Sequence, residues 1–140
     1  MAAYKFIRQG FLVAEAYAGL LMFDALALRD TGFKRTYSVT RRRKVARRKV
    51  SGGGAAPADD VTPRVCRAVE EACAWYFKRA LCLQRSAVAT WLLRRRGVRA
   101  ELVIGFRPVP VDSHAWVEVD GKVVNDRPQY QKHFRVLERL

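Results

Sequence analysis

Three residues of the types that proteins use for nucleophilic catalysis lie in the second half of this 140-residue chain: Cys82, His114 and Asp126. A cysteine can attack a carbonyl when an imidazole takes its proton and a carboxylate orients and stabilises that imidazole. Each residue also has an ordinary interpretation, as a small buried thiol, a hydrogen-bonded structural histidine and a turn cap before Pro128. The set therefore predicts chemistry only if the fold brings the three side chains together.

The segment around the cysteine predicts a helix that begins at or near Cys82. Arginines fill its last turn, Gly97 lies where a C-terminal glycine cap belongs, and apolar residues recur at helical spacing at Leu83, Ala87, Val88, Trp91 and Leu92. A thiol in the first turn of a helix faces the positive end of the helix dipole and unpaired backbone amides, which favour the thiolate. The same amides can hold a developing oxyanion.

After Gly97 the apolar period changes to two, which indicates strands. Alternation predicts one strand over residues 98–106, a second over 114–119 and a return strand over 123–126, with a short strand near the C-terminus. Asp120-Gly121 is a strong signal for a hairpin turn. Gly105 suits a bulge or a close backbone approach.

The length of the hairpin loop decides whether Asp126 can reach His114. A two-residue loop would place Asp126 opposite Ala115 and on the wrong face of the sheet, whereas a three-residue loop would place it opposite Trp116, on the face of His114. The triad hypothesis therefore predicts a three-residue loop or a bulge.

Two other residues have the right chemistry in less suitable places. Asp112 is a rival carboxylate close to His114 in sequence, and His133 lies in a polar segment that predicts a surface position.

The first residues, from Tyr4 to Arg29, are rich in apolar side chains and free of proline, and they predict a helix or a helical hairpin. Glu15 and Asp24 interrupt the apolar run, which disfavours a membrane span and a signal peptide. A core-packing helix is the favoured interpretation, and an amphipathic docking or membrane-surface helix is the alternative.

A further helix is predicted to start with Thr62 as N-cap and Pro63 at the first helical position, and to end near Arg79. Its apolar stripe consists of Val65, Val69, Ala72 and Tyr76. Cys66 and Cys73 lie two helical turns apart on a neighbouring face, which predicts a packing role for both.

The charge of the chain is extreme, with a formal net charge of +14 and a pI near 10.6. It predicts a negatively charged partner or surface. Basic residues crowd into the stretch from Lys34 to Lys49, which is either a solvated tail or an anion-binding segment. Nucleic acid is disfavoured, because this stretch offers only Tyr37 for stacking and no groove-reading motif.

The length of the chain and its cysteine and histidine residues limit the classes of protein to which it can belong. The chain is about one domain long, and we divide it into an N-terminal helical segment at 1–33, a basic and glycine-rich linker at 34–60 and a core domain at 61–140. Three cysteines without a CxxC pair indicate a reducing cytoplasm. Two histidines without ligand spacing predict no metal, and nothing in the pattern calls for a cofactor.

The motifs of residues 62–140 resemble one known family. The runs CLQRSAVATWLLRRRG, ELVIGFRPVP, HAWVEVDGKVVND and RVLERL closely resemble the lasso-peptide B proteins, transglutaminase-like proteases that remove the leader from a ribosomally made precursor. The resemblance implies that Cys82 is the nucleophile, His114 the general base and later acid, and Asp126 the residue that orients His114. Arg85 and Ser86 match the motif as well and imply a supporting role.

The family also implies a fold and partners. The expected fold is α+β, with N-terminal helices and a cysteine-bearing helix packed on a small antiparallel sheet, as in papain-like and transglutaminase-like enzymes. The expected partners are the leader of a lasso precursor, a separate leader-recognition protein and an ATP-dependent macrolactam cyclase that takes the product, all in the cytoplasm. Two rivals remain open: an amidotransferase that hands the acyl group to an amine, and a catalytically silent basic binding module.

Overall fold

The computed structural model describes residues 2–28 and 58–140, with the side chains of 7–28 and 61–140. Most of the predicted linker at 34–60 lies outside these ranges. The described elements are four helices and four strands: α1 (Ala2–Leu28), α2 (Ala58–Trp75), α3 (Cys82–Arg95), β1 (Ala100–Pro108), β2 (Val111–Val119), β3 (Lys122–Val123), α4 (Tyr130–His133) and β4 (Arg135–Arg139). The predicted α+β class is confirmed.

The N-terminal segment is one uninterrupted helix, α1, and it packs one face against α2 and α3. Leu12, Ala16 and Leu20, four residues apart, are buried in this contact. The stretch Ile7–Leu28 is also long and apolar enough to cross a membrane, with a mean hydropathy of 1.7 and 22% of the window buried in the fold. Core helices and signal sequences meet the same criteria, so length and composition do not assign a membrane span to α1.

Helix α2 begins earlier than the sequence predicts. It starts at Ala58, so the assignment of Thr62 as N-cap is wrong and Pro63 lies inside the helix. Proline holds the backbone at a helical φ angle and removes only one hydrogen bond this close to the N-terminus, so the helix runs through it. The helix ends at Trp75, before Arg79.

The packing predicted for α2 is confirmed. All four residues of its stripe, Val65, Val69, Ala72 and Tyr76, are buried. Cys66 is buried as well, and the half-buried Cys73 packs against the same core.

Helix α3 begins at Cys82, as the sequence predicts, and ends in a glycine cap. Gly97 has a φ of 82°, its amide donates to the Arg94 carbonyl, and the amide of Val98 donates to the Leu93 carbonyl. This pair of bonds is the Schellman arrangement, which requires the left-handed conformation that glycine adopts without strain.

The sheet is antiparallel in the order β3-β2-β1-β4, and its two faces pack against different layers. On one face Leu102 and Ala115 contact Ala87 of α3. On the other face Trp116 packs with Val103 of β1 and Phe134, the residue before β4. The candidate base His114 alternates with Ala115 and therefore lies on the Trp116 face.

The hairpin between β2 and β3 contradicts the predicted three-residue loop. Val119 pairs with Lys122, so the loop consists of Asp120 and Gly121 alone. Both residues have positive φ angles, 50° and 75°. Such a turn matches the right-handed twist of the flanking strands, which is why Asp-Gly selects the two-residue loop.

Gly105 has the close approach and the neighbouring bulge that its position in β1 predicts. The register between β1 and β4 shifts between Ile104 and Gly105. A methyl group added at Gly105 would lie 2.7 Å from the ring of Trp116 and 2.8 Å from the Cβ atom of Phe134. The absence of a side chain here lets the Trp116 ring lie flat across β1.

The contact at Gly105 predicts that Gly105→Ala destabilises the fold. The added methyl must displace the fully buried indole ring of Trp116 and the Cβ atom of Phe134. Overpacking of this kind costs about 1–3 kcal/mol. Chemical denaturation followed by circular dichroism measures the change. Gly10→Ala is the matched control, since nothing lies within 4 Å of its added methyl, and we expect it to be neutral or slightly stabilising. Equal stability of the two variants would contradict the packing described here.

Candidate active site

His114 and Asp126, two of the three predicted catalytic residues, are in direct contact. The distance between Nε2 of His114 and Oδ2 of Asp126 is 2.9 Å. The two side chains are only 16% and 15% exposed, so water screens the pair weakly. The contact engages Nε2 of the imidazole.

Asp126 reaches His114 because the chain leaves the sheet just before it. Strand β3 ends at Val123, and the amide of Val124 still donates to the carbonyl of Val117. The amide of Val117, however, donates to the side-chain oxygen Oδ1 of Asn125 at 2.7 Å. Asn125 thus replaces a main-chain acceptor with its side chain, and strand alternation no longer governs Asp126. The loop prediction was wrong because it extended the regular ladder to this residue.

A buried hydroxyl ties this departing segment to α3. The amide nitrogen of Asn125 donates to Oγ of Ser86 at 2.9 Å, and Oγ of Ser86 donates to the carbonyl of Ala115 at 3.0 Å. Ser86 is fully buried. One side-chain bridge therefore fixes α3, β2 and the Asp126 segment relative to one another.

Cys82 lies one helical turn before Ser86, at the start of α3. Its half-buried side chain packs against Ala87, Leu102 and Ala115. Ala115 directly follows His114 in sequence, but its side chain lies on the α3 face of the sheet and the imidazole lies on the opposite face. The packing of Cys82 and the bridge through Ser86 connect the start of α3 to the strand that carries His114 and to the segment that carries Asp126, whereas the direct contact is the one between His114 and Asp126.

The start of α3 offers backbone donors. Leu81 occupies the N-cap position with no side-chain hydrogen bond to the helix, and the Arg85 amide makes the first intrahelical bond, to the Leu81 carbonyl at 3.0 Å. The amides of Cys82, Leu83 and Gln84 precede that bond. A helix start without a side-chain cap leaves such donors available to a developing negative charge.

The other two cysteines have a different environment. Burial raises the pKa of Cys66 to about 11, and the nearby Glu70 carboxylate adds to the effect. Burial also raises the pKa of Cys73, against the opposing charge of Arg85. Both remain protonated near neutral pH, which suits packing and not nucleophilic attack.

Arg85 is a second partner of the Asp126 carboxylate. Its Nη2 atom lies 3.5 Å from Oδ2, the same oxygen that contacts His114, while Oδ1 accepts a hydrogen bond from the Arg127 amide. Arg85 is about one-third exposed, so its contribution to stability is small. Its charge keeps a cation beside the carboxylate and helps to fix its direction. The sequence motif includes Arg85 but does not reveal this contact.

Aromatic rings hold the imidazole plane. The ring centroid of His114 lies 4.2 Å from that of Tyr130, 5.7 Å from Phe134 and 6.2 Å from Trp116. The ring is therefore packed on the face of the sheet opposite α3 while its edge reaches Asp126. Sequence reasoning missed Tyr130, which lies outside the strand pattern.

A buried carboxylate supports this aromatic cluster. Glu118, 1% exposed, accepts hydrogen bonds from the indole of Trp116 at 2.8 Å, from Gln131 at 2.9 Å and from Arg139 at 2.6 Å. Burial alone would raise the pKa of Glu118, but these hydrogen bonds and the charge of Arg139 together lower it. The sequence contains one indication of this cluster, because Glu118 follows Trp116 by two residues in a predicted strand and residues two apart lie on the same face of a strand.

The two rival residues are exposed. Asp112 is exposed and pairs with Arg107 at 3.3 Å. His133 is exposed on α4, as the sequence predicts. Within residues 7–28 and 61–140, no group of three or more His, Cys, Asp or Glu side chains is arranged to hold a metal ion.

Comparisons with known proteins assign the chain to a superfamily. The model of the transglutaminase-like superfamily matches residues 26–139. A curated relative, the Microcin J25-processing protein McjB of Escherichia coli, is 41% identical over 59 residues, which cover 42% of this chain and 28% of the relative. This chain thus matches well under half of that protein's length. No solved structure gives a significant match.

The Glu118 cluster predicts a pH dependence of stability. An unfolded glutamate has a pKa near 4.5 and the folded carboxyl has a lower one, so the unfolded state binds the proton first as the pH falls. The stabilisation is present above pH 4.5 and is lost as the pH falls through the folded pKa. We expect Glu118→Gln to remove this dependence and to cost about 1–3 kcal/mol near neutral pH. Denaturant titrations at several pH values measure both effects.

Glu101→Gln is the matched control for Glu118. Glu101 binds the same Arg139 at 3.1 Å but is exposed, so its loss should change the free energy of unfolding by less than about 1 kcal/mol. A pH profile that Glu118→Gln leaves unchanged would show that the buried carboxylate does not have the lowered pKa.

The bridge through Asn125 predicts that its removal separates Asp126 from His114. Asn125→Ala leaves the Val117 amide without its acceptor, which costs about 1–3 kcal/mol, and it frees the Asp126 segment. We expect the imidazole NMR signals of His114 to move towards those of a histidine without a carboxylate partner. Asn125→Asp is the comparison variant, because it keeps the acceptor for Val117 while it loses the donor to Ser86 and adds a negative charge beside Asp126. Unchanged His114 signals in Asn125→Ala would mean that other contacts hold Asp126 in place.

Proposed function

Because this chain belongs to the transglutaminase-like superfamily, we propose that it is a cysteine peptidase with Cys82, His114 and Asp126 as its triad. Its substrate in this proposal is a lasso-peptide precursor, from which it removes the leader. The contact of 2.9 Å between Nε2 of His114 and Oδ2 of Asp126 is the observation that carries the proposal. A base held by a carboxylate, together with a cysteine at the start of a helix, is the set of groups that thiol catalysis needs.

The bridge through Ser86 supports the participation of Cys82. Ser86 follows Cys82 by one turn and lies on the same helix face. Its hydrogen bond to the Ala115 carbonyl holds that face against the residue next to His114. Nδ1 is the imidazole nitrogen that faces the thiol in this proposal, since Asp126 engages Nε2.

In the proposed reaction Nδ1 of His114 takes the proton from Sγ of Cys82, and the thiolate attacks the carbonyl carbon at the junction of leader and core. The carbonyl oxygen becomes an oxyanion, which the uncapped amides at the start of α3 stabilise. His114 then gives its proton to the departing amine, and the C–N bond breaks. The leader remains as a thioester on Cys82. Water, deprotonated by His114, attacks this thioester and releases the leader as a carboxylic acid.

Asp126 has an electrostatic part in the proposed cycle. Its carboxylate holds the proton on Nε2 and stabilises the imidazolium that forms when Nδ1 takes the thiol proton. Arg85 limits how far the carboxylate can rotate, because it binds the same oxygen. The rings of Tyr130 and Phe134, which pack against the imidazole at a tilt, keep it in place through both proton transfers.

The substrate class is supported by motifs and by the relative. The segments around Cys82 and His114 resemble the lasso-peptide B proteins, and the relative's name describes processing of microcin J25. In the same proposal a separate recognition protein presents the leader, and the released α-amine passes to an ATP-dependent cyclase. The reducing environment suggested by three free cysteines supports a cytoplasmic reaction.

Mass spectrometry of a precursor peptide tests the proposal. The peptide is incubated with this protein and its recognition partner, and we expect cleavage at one junction. Cys82→Ala should lower the rate by roughly a thousandfold or more, as should His114→Ala, because each removes a participant in bond formation. Asp126→Asn should also lower it strongly, since the amide favours the wrong tautomer. Cys73→Ala is the matched cysteine control and should cleave like the wild type.

Three outcomes would replace the proposal. Incorporation of an added amine into the leader product in place of water would make the protein an amidotransferase. Equal cleavage by wild type and Cys82→Ala would remove the thiol from the reaction. No cleavage of a leader that demonstrably binds would favour a silent binding module, and its binding should then fall steeply with salt.

A further inference from the structure

The outer face of α1 is an exposed strip of apolar residues. From Ile7 onward every exposed position of the helix except Arg8 is apolar, and the strip consists of Ile7, Gly10, Phe11, Ala14, Ala18, Leu21, Met22, Ala25, Ala27 and Leu28. Phe11 is 72% exposed and Leu28 is 88% exposed. At 1.5 Å per residue the strip is about 32 Å long. A helix that is apolar on its inner and outer faces needs an apolar environment on both sides.

The acidic residues of α1 do not interrupt this strip, because both bind the body of the protein. Glu15 pairs with Arg95 and Arg96 at the end of α3. Asp24 accepts hydrogen bonds from Tyr76 and Gln84 and pairs with Lys78. These contacts, together with the buried Leu12, Ala16 and Leu20, fix the inner face of α1 on α2 and α3. They also fix which face points outward.

Positive charge borders the strip at its N-terminal end. A cleft of about 290 Å³ joins Ile7 and Phe11 of the strip to Arg8, Arg64 and Arg96. Arg96 already pairs with Glu15, so the positive charge of the cleft comes mainly from Arg8 and Arg64. None of these lining residues, within the part of the chain that the structure describes, is acidic. A guanidinium group binds phosphate oxygens in a planar, two-pronged geometry. An apolar strip that leads into a cleft with arginines matches a lipid, which has both an acyl chain and a phosphate.

In the sequence, a basic stretch also follows α1. Nine lysines and arginines lie between Lys34 and Lys49, just beyond the end of α1, and no acidic residue lies between Asp30 and Asp59. Clusters of basic residues next to an amphipathic helix are typical of segments that bind anionic lipid.

We propose that α1 lies flat on an anionic lipid bilayer through this strip, with phosphate groups bound at the arginine cleft. The strip is more apolar than a surface for a transient protein partner, since such interfaces are about as polar as the rest of a protein surface. A membrane-spanning position would require Glu15 and Asp24 to give up their partners in α3 and in the segments that follow α2 and α3. A helix with one face on the protein body and an apolar face outward is suited to lie in the plane of the interface.

Vesicle flotation tests this proposal and does not depend on peptidase activity. The full chain is mixed with vesicles of phosphatidylcholine alone or of phosphatidylcholine with phosphatidylglycerol. We expect the protein to float with the anionic vesicles, to dissociate as salt is raised, and to bind neutral vesicles much less. Phe11→Ser and Met22→Ser together should weaken binding by roughly tenfold or more, because each removes an apolar side chain from the bilayer. Arg8→Gln should weaken binding to anionic vesicles selectively.

Val111→Ser is the matched control, since Val111 is 79% exposed at the hairpin between β1 and β2 and lies outside α1. It should bind vesicles like the wild type, and circular dichroism should show that every variant is folded. Equal binding to neutral and anionic vesicles, or undiminished binding by Phe11→Ser/Met22→Ser, would overturn the proposal. So would resistance to alkaline extraction, which would mean that α1 spans the bilayer. Failure to bind any vesicle, with the strip instead buried in a complex with another protein, would assign the strip to a protein partner.

Discussion

The hydroxyl of Ser86 is the point on which the arrangement of the site depends. It is fully buried, it donates to the Ala115 carbonyl of β2, and it accepts from Asn125 in the segment that carries Asp126. A buried hydroxyl must satisfy its hydrogen bonds within the protein, and here a single geometry does so. The helix that begins with Cys82, the strand that carries His114 and the segment that carries Asp126 therefore take one relative position.

The two faces of the sheet are packed in different ways. On the α3 face small side chains such as Ala87 and Ala115 allow the helix to approach closely. On the opposite face large rings fill the layer, and Gly105 leaves the space that Trp116 needs. Glu118 anchors that ring through its indole nitrogen. His114 belongs to the aromatic face but reaches Asp126 at the edge of β2, where β3 has already ended. Its orientation thus depends on both layers.

The sequence predicted the elements of this fold better than their ends. Periodicity identified α3 and its glycine cap, the buried stripe of α2 and the strands, because each depends on local burial and local backbone conformation. The assignment of Thr62 as N-cap is wrong because a threonine followed by proline also occurs within a helix that begins earlier. The sequence predicted the pairing of His114 with Asp126, but the prediction assumed a three-residue loop that the structure does not have. Asn125 accepts the hydrogen bond of the Val117 amide with its side chain in place of a main-chain carbonyl. Such a replacement leaves no periodic pattern in the sequence, and here it depends on a partner 39 residues away in α3.

Helix α1 connects the start of α3 to the outer surface of the molecule. Gln84, two residues after Cys82, is buried and donates to the Leu20 carbonyl and to Asp24 of α1. Phe23 of α1 packs against the same cluster as Cys82. The inner face of α1 therefore helps to hold the cysteine-bearing turn, while its outer face remains apolar and exposed. Because one helix carries both faces, any surface that covers the outer face takes a defined position relative to the start of α3.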